Sequence, residues 1–261
     1  RSVERVMVRY PYFCVFPARE GETLVLRYND QPLPIFPDDR TVTLRSEESR
    51  GHLISFGCKD KTIFIDASHY IADGMGIDPL MKSLLWLYVS ERYGTEGLET
   101  KRIRMPDSPV CDEEHAYPFP DRVIEAEAID IIPESPKEAY GLEREAFDKD
   151  GFYAYHLHIP QRAMMAKASS SDGSPVSFLS VLLYRAFHRL DQNIDKPVVA
   201  HVQHQYRAAL HIPMSHHSLV SYIPVVLAPR LNKWDVEKQN TVVRGQVIVK
   251  GGIEADIASV N

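Results

Sequence analysis

The chain has 261 residues, 44% of them apolar and 25% charged, with a formal net charge of -6. This is the composition of a globular protein able to bury one large core or two small ones, and it excludes disorder as the default. The acidic balance argues against nucleic acid as a partner, because phosphate binding needs a basic stripe.

In chain order, Ser2 to Val8 reads as the end of a helix, with Val3, Val6 and Met7 on one face. Tyr10 to Phe16 reads as a strand entered through Pro11. Gly21 marks a turn into a second strand, Thr23 to Tyr28, and Asn29 to Pro32 is a further turn. His52 to Cys58 and Lys61 to Ala67 form an antiparallel pair around Lys59-Asp60. Alternation puts Ile63 and Ile65 on one face and Phe64 on the other. Asp78-Pro79 is a helix start signal, followed by the apolar stripe Leu80, Leu84, Leu87 and Tyr88 and a C-cap at Gly94.

Residues 100 to 150 are rich in proline and acidic side chains and read as a connection between two lobes. Regular structure resumes with a strand over Phe152 to Ile159 and a helix from Gln161 to near Lys167. Ser169 to Gly173 is a turn; it lacks the Gly-Lys-Ser or Gly-Lys-Thr ending of a phosphate loop. Ser174-Pro175 opens a helix to about Leu190, with Phe178, Val181, Leu182 and Ala186 expected inward. Val198 to Val202 and Ser221 to Leu227 read as strands, and Trp234 to Val249 as a final helix. The class is α+β, with lobes expected over residues 1–150 and 151–261.

Three scattered cysteines, Cys14, Cys58 and Cys111, offer neither a disulfide framework nor a metal-ligand spacing. They predict a reducing compartment, the cytoplasm. The longest apolar runs, Val176 to Leu183 and Leu219 to Ala228, are too short or too interrupted to span a bilayer. The opening residues carry no signal-peptide pattern.

The run Ser68-His69-Tyr70-Ile71-Ala72-Asp73-Gly74 carries the chemistry. It lies between an apolar strand and a helix. A histidine at a strand end is reachable by substrate, and imidazole titrates near neutrality, as a general base must. Asp73 is placed to hold the loop in shape, and Gly74 to let the backbone turn before the helix. Ser68 is too close in sequence to His69 for a nucleophile pair, and the chain has no Gly-x-Ser-x-Gly elbow.

The run resembles the His-x-x-x-Asp-Gly signature of the chloramphenicol-acetyltransferase-like and condensation-domain superfamily. The nearest likeness is to bacterial alcohol-acetyltransferase-like proteins, through Tyr10 to Phe13, Asn29 to Leu33 and the leucine-rich helix after the motif. The resemblance implies a two-lobe fold with mixed and antiparallel sheets covered by helices, the second lobe here incomplete. It implies transfer of an acyl group, acetyl above all, from coenzyme A to an alcohol or amine. His69 would be the base and Asp73 a structural residue paired with an arginine, for which Arg207 is the candidate. The acyl-coenzyme A, or a phosphopantetheine thioester, would be a co-substrate; no bound cofactor and no metal is implied. The partners would be a small acceptor and the thioester, or a carrier protein. The alternatives are a condensation-type domain acting on carrier-bound substrates and a non-catalytic binding module. An enzyme should leave His69 reachable; a binding module should pack it away.

Eleven histidines invite a metal reading. His201 and His204 should face opposite sides of a strand. His216 and His217 should point apart if extended. His156 and His158 could share a face or line a cleft, but no carboxylate or cysteine completes a ligand set.

Overall fold

A computed structural model describes residues 1–117, 136–141 and 156–251. The chain divides into two compact units. The first is Arg1–Pro118 with Arg207–Leu219, and the second is Phe119–Tyr206 with Val220–Asn261.

In the first unit, helix α1 (Ser2–Met7) buries Val6 and Met7. Tyr10 to Phe16 differs from the expected strand. Pro11 has no N–H and a fixed φ, so it opens a 3-10 turn over Pro11–Phe13. The Phe13 N–H donates to the Tyr10 carbonyl at 3.1 Å and that of Cys14 to Pro11 at 3.0 Å. Only then do β1 (Val15–Glu20) and β2 (Thr23–Tyr28) pair as a hairpin, Val15 opposite Tyr28 and Glu20 opposite Thr23. Gly21 turns this hairpin at φ 63°, where a side chain would be strained.

A three-stranded sheet follows, in the order β3-β4-β5 (Ile35–Phe36, Ile54–Lys59, Thr62–Ala67). Ile63, Ile65 and Ala67 share the face of β5 that meets the core, as period-2 alternation requires. Helix α2 (Gly74–Tyr93) presses Leu80, Leu84 and Leu87 onto that core beside Tyr10, Phe13, Ile54 and Phe56. Its start lies a full turn before the expected Asp78-Pro79. The Asp73 carboxylate accepts the Gly76 N–H at 2.8 Å and caps the helix there. Pro79 is thus interior, and the carbonyl it leaves without a donor belongs to exposed Met75, where water can serve it. Gly94 ends the helix at φ 89°.

The second unit comprises α3 (Gln161–Ser169), α4 (Pro175–Leu190), β6 (Val198–Gln205), β7 (Val220–Leu227) and α5 (Val236–Lys250). Ser174 caps α4 through a reciprocal bond with Ser177. The buried face of α4 is Ser177, Phe178, Ser180, Val181 and Tyr184. Leu182 and Ala186, expected inward, are exposed. The face is rotated toward serines whose hydroxyls are satisfied inside the helix, Ser180 on the Val176 carbonyl at 2.9 Å, so their burial costs little. β6 and β7 pair antiparallel from Val198–Leu227 to Gln205–Val220. The outer edge of β7 is occupied by side chains of α5: Gln246 bonds both the N–H and the carbonyl of Val226, at 2.9 and 2.8 Å. Of the expected strand at Phe152 to Ile159, residues 152–155 lie outside the described residues. His156 to Ile159 form no strand and are exposed. No described helix is long and apolar enough to cross a membrane.

Candidate functional site

His69 lies in the loop between β5 and α2. The loop is held from both sides. The Ser68 N–H donates to the Leu53 carbonyl at 2.9 Å, and the Ile71 N–H to the Ser68 carbonyl at 3.0 Å. Ile71 is buried to 1% exposure and Ala72 to 5%, so the loop is nailed down just past the histidine. His69 itself is exposed, and its ring makes no hydrogen bond among the described residues. It is not packed away.

Asp73 is 2% exposed, and the structure brings Arg207 to it. The guanidinium donates from Nη1 to Oδ2 and from Nη2 to Oδ1, each at 2.8 Å. This is the two-pronged geometry that a planar guanidinium and a carboxylate favour. The N–H groups of Gly76 and Leu219 donate to the same carboxylate, at 2.8 and 3.0 Å. Arg207, 3% exposed, also donates to the Ser215 carbonyl at 2.9 Å and the His217 carbonyl at 2.5 Å. Burial alone would raise the Asp73 pKa. The bonds from Arg207, Leu219 and Gly76 outweigh it and hold the group below the ordinary carboxylate value. With its oxygens committed in this way, Asp73 orders the loop and the helix start rather than orienting His69.

Gly74 differs from expectation. Gly74 is exposed, has no positive φ, and nothing lies within 4 Å of where a Cβ would sit. The steric demand falls on Gly76, where a Cβ would stand 2.1 Å from the His216 carbonyl oxygen. The obstructing atom is backbone and cannot move aside cheaply. Gly76→Ala is therefore expected to lose about 2–3 kcal/mol in urea unfolding, while Gly74→Ala should stay within about 0.5 kcal/mol of the parent. Equal losses at the two positions would contradict this assignment.

Residues 207–219 are clamped on their other side by a buried charge cluster that sequence reasoning missed. Glu114 is 0% exposed. It accepts from Arg9 at 2.6 and 3.0 Å, from Arg104 at 2.7 Å and from the Tyr12 hydroxyl at 2.8 Å. Burial pushes its pKa up, but Arg9, the Cys111 N–H, Tyr12 and Arg104 together bring it down to about 2. Arg104 also donates to the Met214 carbonyl at 3.0 Å, and Glu113 accepts the Met214 N–H at 3.0 Å. No pattern singles out Glu114 in the run Asp112-Glu113-Glu114; only the third carboxylate is buried.

His216 and His217 do not point apart, since the backbone there is not an extended strand. Their rings lie 4.1 Å apart. His216 stacks on Tyr12 at 4.3 Å and bonds the Ile71 carbonyl through Nδ1 at 3.2 Å. Burial, then the neighbouring His217, push its pKa down to about 4. Among the described residues no group of three or more His, Cys, Asp or Glu is placed to hold a metal ion.

No family model matches the chain, and no curated protein does. Solved structures do. Polyketide synthase associated protein 5 from Mycobacterium tuberculosis is 10% identical at a TM-score of 0.64, with 99% of this chain matching 66% of that one. TRI101 of F. sporotrichioides, complexed with coenzyme A and T-2, is 10% identical at 0.55, over 100% of this chain and 70% of that one. A structure describing condensation domain-mediated chain release from the enacyloxin polyketide synthase is 13% identical at 0.53, over 99% and 55%. The chain thus spans about two thirds of the first of these and little more than half of the last. At such identities the likeness concerns architecture: the chain has the chloramphenicol-acetyltransferase-like fold of condensation domains and related acyltransferases.

Proposed function

We propose that the chain carries the general-base half of an acyltransferase site, with His69 as the base. The observation that carries the reading is the contrast within one motif. His69 is exposed on an anchored loop, and Asp73, four residues on, is buried and consumed by Arg207. A fixed loop carrying a free imidazole can take a proton from a bound acceptor. As the acceptor oxygen or nitrogen bonds to the thioester carbonyl carbon, its proton passes to His69. The carbon–sulfur bond then breaks, and the imidazolium returns the proton to the thiolate. Asp73 and Arg207 keep the base in place.

The donor is an acyl thioester, acetyl-coenzyme A above all, and the acceptor an alcohol or amine. The fold shared with TRI101, whose structure contains coenzyme A, supports the thioester. The fold shared with the enacyloxin condensation domain supports a second donor form, a thioester on a carrier protein.

The test is thiol release from acetyl-coenzyme A with a panel of alcohols and amines. His69→Ala is expected to lower acceptor-dependent release by about 10²–10⁴-fold. Its circular dichroism and unfolding midpoint should match the parent, since the ring makes no bond to lose. Unchanged release in the variant would refute the base. Release only from carrier-bound thioesters would select the condensation-type form.

A further inference from the structure

A cleft of about 340 Å3 opens beside the motif loop, within the size range of small-molecule pockets. Buried Leu53 lines it together with Pro17 of β1, Leu24 of β2, Leu44 and Tyr70, an apolar set. Ser68 and Tyr70, the two neighbours of His69, both line it. They are held there by the bond from Ser68 to Leu53 and by the Tyr70 N–H on the Ser68 hydroxyl at 3.2 Å. Leu24 and Tyr70 are 51% and 55% exposed. Large exposed apolar side chains lining one open cleft are a surface that a ligand would cover.

Arg45 is the single charged residue of the lining. It is exposed and forms no ion pair among the described residues. Its backbone is left-handed, at φ 67°, a conformation uncommon for a residue with a side chain. Its N–H donation to the His52 carbonyl at 2.9 Å holds it there. The cleft therefore offers an apolar body of surface and one unneutralised cation. One guanidinium suits one carboxylate; the several phosphate charges of coenzyme A would need more.

We infer that this cleft binds a small amphiphilic carboxylate, its aliphatic or aryl body against Leu24, Leu53 and Tyr70 and its anionic end on Arg45. Resting on the transferase reading above, that ligand is the acceptor, a hydroxy acid. His69 itself is outside the lining, so the hydroxyl end of the ligand extends past Ser68 and Tyr70 to reach it. The hydroxyl proton then goes to His69, its oxygen bonds to the acyl carbon, and the thiol leaves with the proton that His69 returns.

Calorimetric titration of the whole chain with 4-phenylbutyrate and with 4-phenyl-1-butanol compares one body with and without the charge. The acid should bind about tenfold more tightly, as one charge-assisted bond allows. Arg45→Gln should bring the two within about twofold. Leu24→Ser should weaken both. Equal binding of acid and alcohol to the parent, binding of neither, or a preference that survives Arg45→Gln overturns the inference. A second arm measures transfer from acetyl-coenzyme A to 10-hydroxydecanoate. Arg45→Gln should raise KM about tenfold at constant kcat, whereas His69→Ala should abolish kcat. Carboxylate binding with no transfer to any acceptor would leave the cleft standing and sink the transferase reading. Transfer without any preference for the acid would do the reverse.

Discussion

Arg207→Met is expected to destabilise the first unit by about 3–5 kcal/mol, because it strands the Asp73 carboxylate in a buried site without its counter-charge. The Ser215 and His217 carbonyls lose their donors at the same time. Asp73→Asn should cost less. Asparagine can still cap α2 through Gly76, so its main effect is the unpaired guanidinium. The double variant should be more stable than the sum of the two losses, since no lone charge remains. Urea unfolding read by Trp86, which packs on the first unit's core, in a Trp234→Phe background would measure all three. Losses under about 1 kcal/mol that simply add would mean that the pair is screened like a surface salt bridge.

A second large effect is expected from acid. His216 titrates near 6.5 in the unfolded chain and near 4 in the folded one. The unfolded state therefore binds the proton first. Stability is full above pH 6.5 and falls as pH drops toward 4, by about 3 kcal/mol across that window. Burial pushes His217 down as well, so it acts in the same direction. Glu114 and Asp73 are also depressed, but their contributions are complete above the usual carboxylate range and are lost only below it. The loss between pH 6.5 and about 4.5 is thus a histidine signature. His216→Phe, which keeps a ring against Tyr12 but cannot take a proton, should reduce it, leaving the part that His217 contributes. A slope unchanged in that variant would assign the acid sensitivity elsewhere.

How far the fold could be read from residues depended on what each signal measured. Period-2 alternation placed β5 and its inner face, because Ile63 and Ile65 answer to one sheet and one core. Capping placed the α4 start at Ser174-Pro175, a local bond between neighbours. The start of helix α2 differs from its sequence signal because two start signals compete, and the carboxylate at Asp73 wins by being buried and bonded across the unit. On α4, Phe178 and Val181 are buried as their spacing predicts, but Leu182 and Ala186 are not, because serines whose hydroxyls are satisfied by their own helix take their place. In the site, the motif residues His69 and Asp73 were visible as a spacing. Gly76 was not, because its need comes from a carbonyl 140 positions away in sequence, that of His216. The burial of Glu114 and the solitary charge of Arg45 likewise arise from contacts, not from any local pattern.

The bond between Asp73 and Arg207 joins residues 134 positions apart, which sets an order of events on the ribosome. At about 5–20 residues per second, roughly 7–27 seconds pass between the emergence of the carboxylate and that of its partner. Throughout that interval Asp73 lacks its counter-charge, and the loop has only its bonds to residues already made, such as that from Ser68 to Leu53. The first unit closes only when Leu219 has been added, its N–H being the last donor to reach that carboxylate. A chain stalled before Arg207 would hold every residue of the His69 motif but would lack the bonds that Arg207 and Leu219 make to Asp73. Proteases could therefore tell a finished chain from an unfinished one at this loop.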